Sequence, residues 1–220
     1  MTELRPGEAA AILGTRAIFQ TRGMDQIVIR GMLKWPNVPA VYGWLSLDRR
    51  GNWMIKNVSG RFERIANSAV NEFIGRNYAS DEEGRWYFQN GPQRVFVALD
   101  YTPWVYRLDD AGEGLLAHTG AAAGALETVY LDEAGALLLQ AGPGIGVLLD
   151  RDLPAFVELL GDPRGGTPER LLEEVAEGRE ARAVLRGGSV RIAPIRGADL
   201  PLMFGFVPRP APPSGEPECS

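Results

Sequence analysis

Val41-Tyr42-Gly43-Trp44-Leu45-Ser46-Leu47-Asp48-Arg49-Arg50-Gly51-Asn52-Trp53-Met54-Ile55-Lys56 reads as one β-hairpin. Branched and aromatic residues fill both arms, and such residues suit a pleated, half-buried surface. Asp48 opens the turn because its side chain can accept from the backbone just ahead. Gly51 closes it because glycine tolerates the left-handed exit. The same Asp-x-x-Gly spacing returns at Asp81–Gly84, Asp109–Gly112 and Asp132–Gly135, each between strand-like segments. One hairpin unit, used repeatedly at irregular intervals, accounts for the pattern.

Outward from this hairpin, Arg61 to Tyr78 is predicted as a helix. Phe62, Ile65, Ala66, Ala69, Val70, Phe73 and Ile74 recur at steps of three and four and make one apolar stripe. Glu72 and Arg76 form a pair one turn apart on its polar side. A second hairpin is expected from Arg85–Gln89 and Gln93–Leu99, turning at Asn90-Gly91. Met24 to Trp35 fits a helix or a strand equally. All five tryptophans precede residue 105, and the strands predicted after it (126–131, 136–140, 146–149) are aliphatic. Asp152 and Thr167-Pro168 each open a predicted helix, and strands are expected over 183–186, 189–194 and 202–207. The fold class expected is α+β, antiparallel hairpins packed on helices as two related small units in tandem. The first spans 1–115 and the second 125–207, joined at Gly120–Gly124, with a Pro-rich disordered tail at 208–220.

Three segments then carry a resemblance. Trp44-Leu45-x-Leu47-Asp48-x-x-Gly51-x-Trp53 precedes the helix; Asp81-x-x-Gly84-x-Trp86-Tyr87 and Leu99-Asp100-Tyr101-Thr102-Pro103-Trp104 follow it. Over residues 40–108 this resembles proteobacterial families known as domains of unknown function. The resemblance implies tandem hairpin-and-helix units and a role in signalling or ligand sensing. It implies no catalytic residue.

Composition narrows the chemistry. The net charge is −5, which disfavours nucleic acid as a partner, since phosphate neutralisation needs a positive surface. No apolar run is long enough to cross a membrane, and the N-terminus lacks the basic start and apolar stretch of a signal peptide, so a cytoplasmic protein is expected. With one histidine, His118, and one cysteine, Cys219, neither a Cys/His zinc site nor an internal disulfide can form. No Gly-x-Ser-x-Gly elbow occurs. Gly142-Pro143-Gly144-Ile145-Gly146 lacks the spacing of a phosphate loop and reads as a hairpin turn. No cofactor is expected.

What remains is the aromatic half. Trp44, Trp53, Trp86, Tyr101 and Trp104, with Arg94, Asp100 and Arg107 near them in sequence, are predicted to border a groove where the two units meet. Apolar walls with a few placed charges are what small-molecule pockets use. The plainer alternative makes these rings the core of the first unit. The function expected is a non-catalytic small-ligand-sensing or adaptor protein, its partner an unidentified small molecule or protein. The rival is a metal-dependent or carboxylate-based hydrolase built from the turn acids Asp81-Glu82-Glu83, Asp109-Asp110, Asp132-Glu133 and Asp150/Asp152. A homodimeric structural protein is the third reading.

Overall fold

Asp48 accepts from the backbone N–H groups of Arg50 and Asn52 at 2.9 and 2.8 Å, and the Gly51 N–H closes on the Asp48 carbonyl at 3.0 Å. The computed structural model, which describes residues 24–35 and 38–213, repeats this turn at Asp81, Asp109 and Asp132. It adds two more, Asn57–Gly60 and Asp162–Gly165. Every closing glycine has a positive φ, between +68° and +82°. The turn acids therefore serve their own backbone first.

Around these turns stand two mixed sheets. β1 (Val41–Leu47) and β2 (Trp53–Lys56) form the predicted hairpin, and β3 (Phe62–Arg64) adds beside β2. Next come α2 (Ser68–Arg76), β4 (Tyr78–Ser80), β5 (Trp86–Asn90) and β6 (Gln93–Leu99); α1 (Gln26–Lys34) precedes them all. The order of this sheet is β3-β2-β1-β6-β5-β4, with β1 and β6 parallel. β7 (Trp104–Leu108), β8 (Leu115–Ala117), β9 (Leu126–Leu131), β10 (Leu137–Ala141) and β11 (Gly144–Leu148) begin the second sheet. After α3 (Leu153–Glu158), β12 (Leu160–Gly161) and α4 (Pro168–Ala176), β13 (Ala181–Leu185) and β14 (Gly188–Pro194) complete it, and α5 (Leu200–Phe204) closes the set. Read from β11, its order is β11-β10-β9-β14-β13-β12, the strand order of the first sheet, with β7 and β8 added beyond β11. Its central pair, β9 and β14, is again parallel.

The second sheet is a middle layer, and β10 shows why. Leu137, Leu139 and Ala141 point to a core shared with Phe156 of α3 and with Leu171 and Val175 of α4. Leu138, between them, points the other way, into a core with Leu45, Trp53, Val97 and Leu99 of the first sheet. Such two-step alternation assigns each side chain to one layer, and an apolar run such as Leu137-Leu138-Leu139 fits only a strand covered on both faces. The far face of the first sheet carries a smaller cluster, Tyr42 stacked on Phe96 at 4.5 Å with Tyr87 beside it.

Several expectations are corrected. The fold holds more strand than hairpins on helices implies. The parallel pairs β1·β6, β7·β11 and β9·β14 join strands far apart in sequence, which local periodicity does not register. Arg61–Tyr78 is not one helix. The Asn57–Gly60 turn sends the chain into β3, and the Asn67 side chain, accepting from Val70 N–H at 3.2 Å, starts α2 only there. The apolar stripe is split accordingly: Phe62 and Val70 are 42% and 41% exposed, and Ile74 alone of the seven is fully buried. Leu202–Val207 is no strand, because Pro201 opens α5 and Gly205, at φ +63°, ends it. The loop of the second hairpin is Gly91-Pro92, one residue beyond Asn90-Gly91. The ambiguous Met24–Trp35 segment is the helix α1, with only Val28 buried. The change of sheet falls between Leu99 and Trp104. The Asp152 carboxylate accepts from Leu108 N–H at 3.0 Å and does not cap α3. Residues 214–220 of the expected disordered tail, and 1–23 of the first unit, lie outside the described residues; Pro208 is tied to Leu99 by a 2.7 Å hydrogen bond.

Thr167 behaves as the sequence predicts, accepting from Arg170 N–H at 3.3 Å ahead of Pro168. Thr167→Ala is expected to lower unfolding stability by about 1 kcal/mol, read as a lower urea midpoint with unchanged slope.

Candidate functional site

The short segment Asp100–Pro103 carries the chain from one sheet to the other and sets Trp104 at their junction. Five rings meet there. Trp53, Tyr78, Trp86, Trp104 and His118 lie with neighbouring centroids between 4.7 and 5.6 Å apart, mostly edge to face. Edge-to-face contact places the positive rim of one ring on the negative face of the next. The Tyr78 hydroxyl donates to the Pro103 carbonyl at 3.0 Å, and burial pushes its pKa far above that of an exposed tyrosine. His118 Nδ1 accepts from Val105 N–H at 3.3 Å, so Nε2 carries the ring proton; it is buried without a partner among the described residues. Burial lowers the pKa of this ring to about 3. His118 is a neutral packing residue at neutral pH.

Trp86 and Trp104, 5.3 Å apart and almost perpendicular, leave the cluster to form a wall between two clefts. The larger, about 890 Å³, lies under α5 and is bounded by Asp81–Gly84, Gln140, Pro143–Ile145 and Pro201–Val207. The smaller, about 540 Å³, lies toward Met24, Arg76, Thr119 and Gly142. Both volumes fall within the span typical of small-molecule sites, roughly 300–1,000 Å³.

Two polar atoms of residues that line the larger cleft stand out. The Trp104 Nε1–H and the Gln140 Oε1 are both buried and have no hydrogen-bond partner among the described residues. Trp104 can only donate and the amide oxygen can only accept. Gln140 follows Leu138 on the face of β10 turned to the first sheet, opposite Ile145 across the hairpin. Gly144 lies 3.5 Å from the indole nitrogen of Trp104, measured from where its Cβ would stand. A larger residue there would narrow the approach.

Of the eight residues predicted to border a groove, the structure brings Trp86 and Trp104 to it. Trp53 is 3% exposed and sits within the core behind them. Trp44, on β1, is half-buried and lines neither cleft. Arg94 lies over the Tyr87 ring on the far face of the first sheet. The Tyr101 hydroxyl donates to Asp132 at 2.5 Å beneath the Arg49 guanidinium; burial and the Asp132 carboxylate raise its pKa. Asp100 is raised by burial and then by the nearby Asp48 charge. Arg107 turns to the Leu108 carbonyl and Asp110. The rest of the lining, Gln140 behind the tryptophans and Pro201, Phe204 and Phe206 in front, is not among the eight. Its only sequence signal was a Gly-Pro-Gly turn and an apolar run near the C-terminus, neither chemical in itself.

Four acids of the rival reading are engaged by backbone. Asp81, Asp109 and Asp132 each accept from backbone N–H groups of their own turn, and Asp152 accepts from Leu108. Among the described residues no three His, Cys, Asp or Glu side chains gather closely enough to hold a metal ion. No helix among them is long and apolar enough to cross a membrane.

The chain belongs to the DUF2944 family, described as a protein of unknown function (DUF2946), whose model matches residues 24–211. Among solved structures it is similar to a DUF1285 family protein from Silicibacter pomeroyi DSS-3, at 16% identity and a TM-score of 0.42, covering 64% of this chain and 79% of that one. A search of curated proteins finds no match.

Proposed function

We propose that this member of the DUF2944 family binds a small molecule in the cleft under α5, as a sensing or adaptor module. The observation that carries the reading is the pair of unsatisfied buried atoms, Trp104 Nε1 and Gln140 Oε1, on two side chains that line that cleft. Leaving a buried donor or acceptor unpaired costs about 1–3 kcal/mol. A leucine at position 140 would fill the same step of β10 at no such cost. A protein that keeps glutamine there gives up stability, and a ligand supplying the missing partner explains why. The setting supports it as well: an apolar, aromatic-walled groove at the junction of two sheets, with a few polar groups to fix orientation.

Gln140→Leu separates this reading from a purely structural role. It is expected to raise unfolding stability by about 1 kcal/mol and to abolish the response to ligand. The check is intrinsic tryptophan fluorescence titrated against a metabolite panel, with urea denaturation of both proteins in parallel. Trp86 and Trp104 report directly, being the wall of the cleft. A panel giving no response in the unaltered protein, or a Gln140→Leu variant that responds as before, removes the basis of the proposal.

A further inference from the structure

We infer that the ligand taken by this cleft is an organic cation; the inference rests on the binding reading above and adds the charge class. The argument begins with what the wall lacks. Asp81, Glu82 and Glu83 all border the cleft, while no lysine or arginine does among the described residues. Arg85 is the cation next in sequence, and it pairs with Asp81 at 2.7 Å and Glu83 at 3.0 Å. Its guanidinium lies over the ring of Phe96, however, which belongs to the cluster on the far face of the first sheet. The positive charge is therefore turned away from the groove, and Glu82 remains exposed at its rim. Asp81 and Glu83 are taken up by Arg85, so an anion entering here meets the Glu82 carboxylate with no cation aimed at it. Like-charge juxtaposition of that kind selects against a partner.

The other surfaces favour a positive group on an apolar body. Trp86, Trp104 and Phe204 offer ring surface, whose negative faces attract a cation over them. The Gln140 Oε1 accepts an N–H, as an ammonium would supply, and the Trp104 N–H then answers an oxygen on the same ligand. An inorganic ion is the poorer match, because the described acids form no group that could coordinate one.

Three probes of one shape test the inference by calorimetry on the full chain: phenethylammonium, 2-phenylethanol and 3-phenylpropionate. The cation is expected to bind about tenfold or more tighter than the anion, with an advantage that shrinks at high salt. Glu82→Gln is expected to narrow that ratio several-fold while leaving the alcohol unchanged. If the alcohol binds and the cation binds no tighter than the anion, the charge assignment is overturned and the binding reading stands. If none of the three binds, both fall.

Discussion

Lowering the pH from 7 to 4 is expected to cost this protein about 3 kcal/mol of unfolding stability through His118 alone, with about 2 kcal/mol already lost at pH 5. The folded ring has a pKa near 3, against 6.5 for an exposed histidine, because it is buried at the meeting of the two sheets. Above pH 6.5 the ring is neutral in both states and full stability holds. Below that value the unfolded chain takes up a proton that the folded one refuses, so each step down favours unfolding until the folded ring itself protonates. The window is separable from the carboxylates. Asp109 and Asp162 have lowered pKa values, through backbone hydrogen bonds and the Arg164 pair respectively, and their contribution is lost only below about pH 4. His118→Asn keeps an acceptor for Val105 N–H and does not titrate. Chemical denaturation at pH 7, 6 and 5 should give a falling stability in the unaltered protein and a flat one in the variant. Equal slopes would show that the ring is not the titrating group.

The position of His118 also explains what the sequence could and could not convey. As a lone histidine in Leu115-Leu116-Ala117-His118-Thr119-Gly120 it has no local partner and reads as a strand-end residue. Its neighbours Trp53, Tyr78 and Trp104 arrive from three other strands. Local signals were legible wherever a structure closes on itself: the Asp-x-x-Gly turns, the β1–β2 hairpin, and the Thr167 cap. Those rest on hydrogen bonds spanning two to four residues. The failure over Arg61–Tyr78 is local as well. Phe62 and Val70 satisfy a helical period, yet a turn at Asn57 assigns Phe62 to a strand edge, where pairing with Lys56 outweighs periodicity.

The candidate site was half legible. Tryptophan is conspicuous, and Trp86 and Trp104 could be named from composition alone. The groove they border depends on β10 crossing behind them and α5 arriving in front, contacts separated by tens of residues. Arg94 and Arg107 sit close to the tryptophans in sequence, but strand alternation turns Arg94 to the far face. Adjacency along a strand is a poor guide to sharing a face.

Gly84→Ala is expected to be the most damaging single substitution at the cleft, costing about 3–5 kcal/mol. Gly84 closes the second Asp-x-x-Gly turn with φ +77°, a region where any side chain is strained. It also lies against the C-terminal segment. Its carbonyl accepts from Val207 N–H at 2.9 Å, Arg85 and Val207 form a bridge, and a Cβ on Gly84 would overlap the Gly205 carbonyl oxygen. Backbone meets backbone there, and no side chain can swing aside to make room. The strain of the turn and the displacement of α5 therefore act together, and Phe206, buried in the inter-sheet core, is pulled with them. The other turns supply the control. Gly135 has φ +82° in the same turn, with nothing within 4 Å of the position its Cβ would take, so Gly135→Ala carries the strain without the collision. It should cost about 1–2 kcal/mol. Urea denaturation of both variants measures the difference, and ligand binding is expected to survive in Gly135→Ala and fail in Gly84→Ala. Equal losses from the two would mean that the C-terminal segment does not lean on this turn, and the cleft would lose the wall that makes it one.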